Sequence, residues 1–539
     1  MKMPSSLRRL RGPFSHLRLV DMIVVPCVAV LFGLCAMLTP VYRRNSTSSC
    51  NILLFVVGVL GFLAVWLGLE ILIDHACRRR PRFKIPLSGR KLGLCLFALF
   101  TAVGVWNLLV YYPGTGMYDT LAIVSRPITQ MSNQHPWFYC SGVRLLVKVV
   151  LALGGGYELA LVLCSVIQIL LTSGVYTYLL LWLKDKGTHP VVWLLAVAFY
   201  AFYPILGLYM VTLFKDIPFS LLLTVWVPVL YEYWQTKGEC LQTKRYQNTC
   251  IVLIIYALLR NNGIYVTAFI LAVMLITALR QWKQIAMLAA ALALVMVGSS
   301  AFETYLDVTH LFKETVGIPL QQVAAVVTYG DQIEPEDLEF IDQVLSVDFI
   351  REKYDPYTAD RLKWNGAPIN NDFLNENKVE FLKVWLRLGL KNPGLYWEAY
   401  LKNTYGFWSL DGSDINVKYT TLYVQAFDDW IRENEVGIKD VLPPGLQSFC
   451  ETVGQMTLTP LGAGAFFWIY LLLVTQLLRR YDWRMILLAA PSLGCWLTLM
   501  ISTPVAYQWR YLFSVPITIP ILFALLFVKK KKKTAPAVT

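Results

Sequence analysis

Six ionisable residues stand where a highly apolar chain has no ordinary use for them. Asp119 lies in YPGTGMYDT, His135 in NQHPWFY, Lys215 and Asp216 in FKDIPFS, Arg260 in LRNNG and Arg510 in WRYLF. A carboxylate can take a proton from a hydroxyl or hold a metal, and lysine or arginine can stabilise negative charge that grows on a departing oxygen. Each residue also has a plainer reading. Asp119 can cap a helix or sit in solvent, and Asp216 can pair with Lys215 or cap a helix that opens with Pro218. His135, followed by Pro136, can be a turn histidine, and Arg260 and Arg510 can snorkel to lipid headgroups. What the chain builds around them decides between these.

Of its 539 residues, 56% are hydrophobic and 15% charged, and the mean hydropathy is +0.52. Those values lie outside the range of soluble domains and mark an all-α polytopic membrane protein. A spanning helix needs ~20 mostly apolar residues. Clear runs fall at 22–40, 52–69, 92–112, 159–183, 190–214, 285–302, 453–478, 485–509 and 511–528. Shorter or interrupted ones fall at 217–235, 249–259 and 261–279, giving about twelve crossings.

The loop charges agree with that count. Lys2, Arg8, Arg9, Arg11 and Arg18 precede the first run, and every second loop after it is basic, ending in KKKKK at 529–533. Because Lys and Arg are retained on the cytoplasmic side, both termini are expected there. The net charge of +13 then belongs to collars beside anionic headgroups, and no nucleic-acid partner is needed to explain it. The first apolar run is long, strongly flanked and soon followed by a second, so it reads as a retained anchor. The eleven cysteines are scattered without a CxxC pair, which argues against a structural zinc site. No GxGxxG or GxxxxGK[ST] pattern is present, which argues against a nucleotide-driven pump.

Four regions follow: an N-terminal segment with two extra helices (1–91), a membrane core (92–302), a polar extracytoplasmic domain (303–452) and C-terminal spans with a basic tail (453–539). The domain is expected to be mostly helical, with helix-like spacing at 335–350 and 376–403. The core's first outer loop, 113–156, holds the Asp119 and His135 motifs. There, 117–131 reads as an interfacial helix and 136–154, which carries Arg144 and Lys148, as a second interfacial or partly inserted one. Arg260 is placed in a broken helix, because 249–259 is short and NNG follows it.

With IPLQQVAAVV at 318–327 and NTYGFW at 403–408, these motifs give the chain from about residue 92 onward a pattern that resembles the C-type multi-span glycosyltransferases. It is especially similar to a largely uncharacterised bacterial group of that type. The resemblance implies an enzyme of the cell membrane that transfers a sugar from a polyprenyl-phosphate donor to an extracytoplasmic acceptor: a cell-wall polymer, a glycolipid or a protein. It implies that Asp119 lies near the anomeric carbon, as base or as a contact to a divalent metal such as Mg or Mn. His135, Lys215, Asp216, Arg260 and Arg510 are then candidate substrate contacts. Two departures are the extra N-terminal spans and the missing second acid beside Asp119. A transporter or lipid flippase, and a polysaccharide polymerase, are the alternative expectations.

Overall fold

The computed structural model describes residues 20–78, 89–116, 118–127, 130–330, 333–364, 366–411, 430, 432–434, 441–457 and 461–528. The basic stretches in 1–19, 79–88 and 529–539, which carry much of the expected cytoplasmic charge pattern, lie outside the described residues. Among the described residues the regular structure is helical, supplemented by isolated β-bridges.

Eight helices are long and apolar enough to cross a membrane by length and composition. They are Val20–Val41, Ile52–Arg78, Gly89–Val110, Tyr157–Asp185, Asp216–Gln235, Leu279–Tyr305, Trp483–Ile501 and Trp509–Leu526. The other expected spans are helical but shorter or broken. The run 190–214 divides into Pro190–Phe202 and Pro204–Tyr209, because Pro204 lacks an N–H and Tyr203 before it is extended. The run 249–259 ends as a 3₁₀ turn at Tyr256–Leu259, and the chain resumes as Gly263–Thr277. The run 453–478 falls on two helices, Pro444–Thr457 and Ala463–Arg480.

Two helices are central. Within the protein 78% of the apolar stretch of Asp216–Gln235 and 83% of that of Trp509–Leu526 is buried, against 17% for Ile52–Arg78. These central helices begin at the residues of interest, Asp216 and Trp509–Arg510. The peripheral helices expose Leu, Val and Ile, as a lipid-facing surface does. The N-terminal pair, Val25–Val41 and Ile52–Arg78, is joined to the rest by Gln476 Nε2 donating to the Trp66 carbonyl (2.7 Å) and by an Arg479–Asp21 pair (3.3 Å).

The polar segment after Tyr305 has a hydrophobic core of its own. Gly317–Tyr329 is buried along most of its length, with Pro335–Val344, Lys378–Lys391 and Pro393–Asn403 packed around it through Ile341, Phe381, Leu388 and Tyr396. Its two buried glutamines each make a hydrogen bond: Gln321 Nε2 donates to the Asp355 carbonyl, and Gln322 Oε1 accepts from Trp385 Nε1. The segment is locked to the C-terminal helices along one seam. Ala359 N–H donates to Pro504, Ala506 N–H to Tyr357, and Asn403 Nδ2 to Thr503, at 2.7, 2.9 and 2.9 Å. At that seam a Cβ on Gly406 would fall 2.0 Å from the Ala506 carbonyl oxygen, so nothing larger than glycine fits.

The expected helix at 117–131 is shorter, Tyr118–Val124, since Pro127 disfavours a helical residue before it. The second helix of that loop, Trp137–Ala152, keeps Arg144 on its buried face. The guanidinium donates to the carbonyls of Ile123, Pro127 and Gln130 at 3.0 Å and of Ala122 at 3.3 Å, collecting acceptors left open where the Asp119 helix ends. Arg144→Leu is expected to lower unfolding stability by at least about 2 kcal/mol, because buried carbonyls lose a charged donor. Thermal unfolding of the purified protein in detergent checks this, and an unchanged midpoint would contradict it.

Candidate active site at the start of two central helices

The loop that carries Asp119 is zipped to the chain that leads into Lys215. Thr115 N–H donates to the Val211 carbonyl and Leu213 N–H to that of Thr115, both at 2.9 Å, while Thr120 Oγ1 donates to Leu213 at 2.8 Å. Gly114 makes the approach possible: its φ is +131°, and a Cβ there would lie 2.4 Å from Ser165 Oγ. Asn133 fixes the His135 loop by accepting from Leu311 N–H (3.0 Å) through its side chain and from Asn261 Nδ2 (2.7 Å) through its carbonyl. That second bond ties the loop to the break that carries Arg260. Arg260 itself is extended, with φ −145° and ψ 140°, between the 3₁₀ turn and the helix that starts at Gly263.

All six candidate residues meet in one network. Asp216, fully buried, pairs with Arg260 Nε at 2.9 Å and Arg510 Nη1 at 3.7 Å. The same Arg510 Nη1 lies 2.9 Å from Asp119 Oδ2, and Lys215 Nζ lies 3.7 Å from that oxygen. Lys215 Nζ also lies 2.7 Å from His135 Nδ1. The plainer readings of Asp216 do not describe it, since its partners are the two distant arginines and its side chain makes no helix cap. Neither arginine reaches for a headgroup: Arg260 donates to the Tyr511 carbonyl (3.1 Å), and the Arg510 guanidinium stacks over Phe214, 4.4 Å from the ring centre.

The pairing sets protonation. Burial opposes the charge of Asp119, but Arg510 and then Lys215 overcome it and hold the carboxyl well below the usual carboxylate range. Burial, reinforced by Lys215, pushes His135 down to about 3, so the ring is neutral. With Lys215 donating to Nδ1, the ring proton sits on Nε2, which is buried and has no hydrogen-bond partner among the described residues.

A cavity of about 840 Å³ opens beside this network. Asp119, His135, Lys215 and Arg510 are among its lining residues, and Asp216 and Arg260 adjoin them through the ion pairs with Arg510. The polar segment contributes Glu314, Asp355, Asp360 and Trp364 to the lining. Arg44, in the connection of the N-terminal helix pair, reaches the rim and binds Asp355 with Nη2 3.1 and 3.0 Å from its two oxygens. Sequence reasoning missed Arg44, Arg144, Asp355 and Asp360. The last two lie in EKYDPYTADRLKW, where acids and bases alternate so densely that none stands out.

The surroundings of Asp119 do not fit a divalent cation. Its Oδ2 is held by two positive groups, Arg510 at 2.9 Å and Lys215 at 3.7 Å. Among the described residues the protein is helical, with helices long and apolar enough to cross a membrane and a charged cavity where two of them begin. The chain belongs to DUF6020, a family of unknown function whose sequence profile matches residues 123–538, starting just past Asp119. No curated protein and no solved structure matches it.

His135 yields a pH test. Its folded value near 3 lies below the unfolded value of about 6.5, so the unfolded state takes the proton first. The stability it contributes is fully present above about pH 6.5 and is lost as pH falls toward 3. The difference in melting midpoint between wild type and His135→Gln is therefore expected to shrink between pH 7 and pH 4. A difference that stays constant across that range contradicts the assignment.

Proposed function

We propose that the protein is an integral-membrane glycosyltransferase. It moves a sugar from a polyprenyl-phosphate-linked donor to a hydroxyl of an extracytoplasmic acceptor, namely a cell-wall polymer, glycolipid or protein. The observation that carries this reading is the meeting of Asp119, Lys215 and Arg510 in the lining of a large cavity, at the point where two central apolar helices begin. A phosphate on a lipid tail would sit at that height. In this reading both termini are cytoplasmic and the polar segment faces outward.

The chemistry follows from the charges. The donor's phosphodiester is an anion, and Lys215 and Arg510 are the cations on the cavity wall nearest Asp119. As the anomeric C–O bond breaks, negative charge grows on the phosphate oxygen and both cations stabilise it. Asp119, kept ionised, faces the positive charge that develops on the sugar carbon. A carboxylate held so acidic is a weak proton acceptor, which favours this electrostatic role over that of base. The unpartnered Nε2–H of His135 can donate to a sugar or phosphate oxygen. Asp216 and Arg260 contribute by holding Arg510 in place.

Transfer of labelled hexose from polyprenyl-phosphate hexose by purified protein tests the reading. Asp119→Asn is expected to lower kcat by about 10²-fold or more. Its donor KM should stay equal or fall, because the amide frees both cations for phosphate. Transfer within about threefold of wild type would remove Asp119 from the chemistry, and movement of the donor across the bilayer without cleavage would make the protein a flippase.

A further inference from the structure

Four carboxylates line the cavity: Asp119, Glu314, Asp355 and Asp360. Three are held by cations. Asp119 has Arg510 and Lys215, and Glu314 has Lys363 at 3.4 Å. Asp355 has Arg44 at 3.0 Å and Arg361 at 3.6 Å. Asp360 differs, for among the described residues no hydrogen bond or ion pair engages its carboxylate.

We propose that Asp360 is the proton acceptor for the attacking hydroxyl, a catalytic residue that the polar segment supplies to the cavity lining. The inference deepens the glycosyl-transfer reading and rests on it. The backbone around Asp360 is rigidly placed: Ala359 N–H donates to the Pro504 carbonyl at 2.7 Å, Thr358 bridges to Val505, and Asp360 N–H donates to Thr358 Oγ1 at 3.2 Å. The segment bridged at that seam, around Val505, runs directly into Arg510, so acid and cation are set by the same few residues. A base needs an oxygen lone pair not already given to a cation, and of the four acids Asp360 alone keeps both oxygens clear.

Its electrostatic setting suits proton transfer near neutrality. Burial is the largest influence and raises its carboxyl. Lys363 and Arg510 pull the other way, Asp119 and Glu314 add to the rise, and the group is pushed up to about 6. It is therefore mostly ionised at pH 7 and far more basic than Asp119. In the step itself Asp360 takes the hydroxyl proton, the hydroxyl oxygen bonds the anomeric carbon, and the anomeric C–O bond to phosphate breaks. Its electron pair leaves with the polyprenyl phosphate, whose added negative charge balances the proton gained by Asp360.

The test is transfer from labelled polyprenyl-phosphate hexose by purified full-length protein, measured as kcat and donor KM from pH 5 to pH 8. For wild type kcat is expected to fall on the acid side with a midpoint near 6. Asp360→Asn is expected to lose about 10²-fold or more in kcat with donor KM within about threefold and that acid limb gone. Asp360→Glu, which keeps the acid and serves if the amide does not fold, should restore part of kcat and displace the limb. Retained kcat in Asp360→Asn, or a limb that stays at its wild-type position in Asp360→Glu, overturns the role of Asp360 while leaving the transferase reading intact. Wild-type protein that cleaves no polyprenyl-phosphate sugar overturns both.

Discussion

A carboxylate with no exposure to solvent, Asp216, held between Arg260 and Arg510, is the constraint on which the rest depends. A buried charge that loses its partner costs about 3–5 kcal/mol, so this acid is tolerable only when two distant segments arrive together. One arrives as a broken helix, because Arg260 must leave helical geometry to reach it. The other arrives as the 3₁₀ turn Trp509–Leu512 at the head of the most buried of the eight candidate spans. Arg510 then spans two environments, with Asp216 behind it and Asp119 on the cavity side.

From that anchor the cavity follows. The seam that pairs 357–359 with 504–506 hangs the polar segment over the start of the helix bearing Arg510. A second tie, Asn133 to Leu311, joins the His135 loop to the same segment. The N-terminal helix pair, outside the span matched by the family, is also part of the enclosure through Arg44 and Asp355. Its apolar surfaces face outward, while its one polar connection reaches the rim.

The members of this charged cluster were legible in the sequence because apolar surroundings make a charge conspicuous. Asp119, His135, Lys215, Asp216, Arg260 and Arg510 each interrupt or end an apolar run, and the structure brings all six together. Their pairing was not legible: Asp216 neighbours Lys215 in sequence yet pairs with Arg260 and Arg510, a choice made by tertiary placement. Asp360 was hidden for the opposite reason, since in a mixed-charge segment an acid without a partner looks like every other. The helices were readable where an uninterrupted run exceeded the bilayer thickness. They were misjudged where proline intervened, as at Pro204, whereas the break read from LRNNG is present, with a 3₁₀ turn at Tyr256–Leu259 before it.

The most direct measurement is an experimental structure of the full-length protein in lipid nanodiscs with polyprenyl phosphate bound. The phosphate is expected between Lys215 and Arg510, on the cavity side of Asp119, with the prenyl chain running along the apolar helices. A phosphate bound elsewhere, with the Asp119–Arg510 and Asp119–Lys215 pairs closed to it, would contradict a lipid-phosphate site built by these residues.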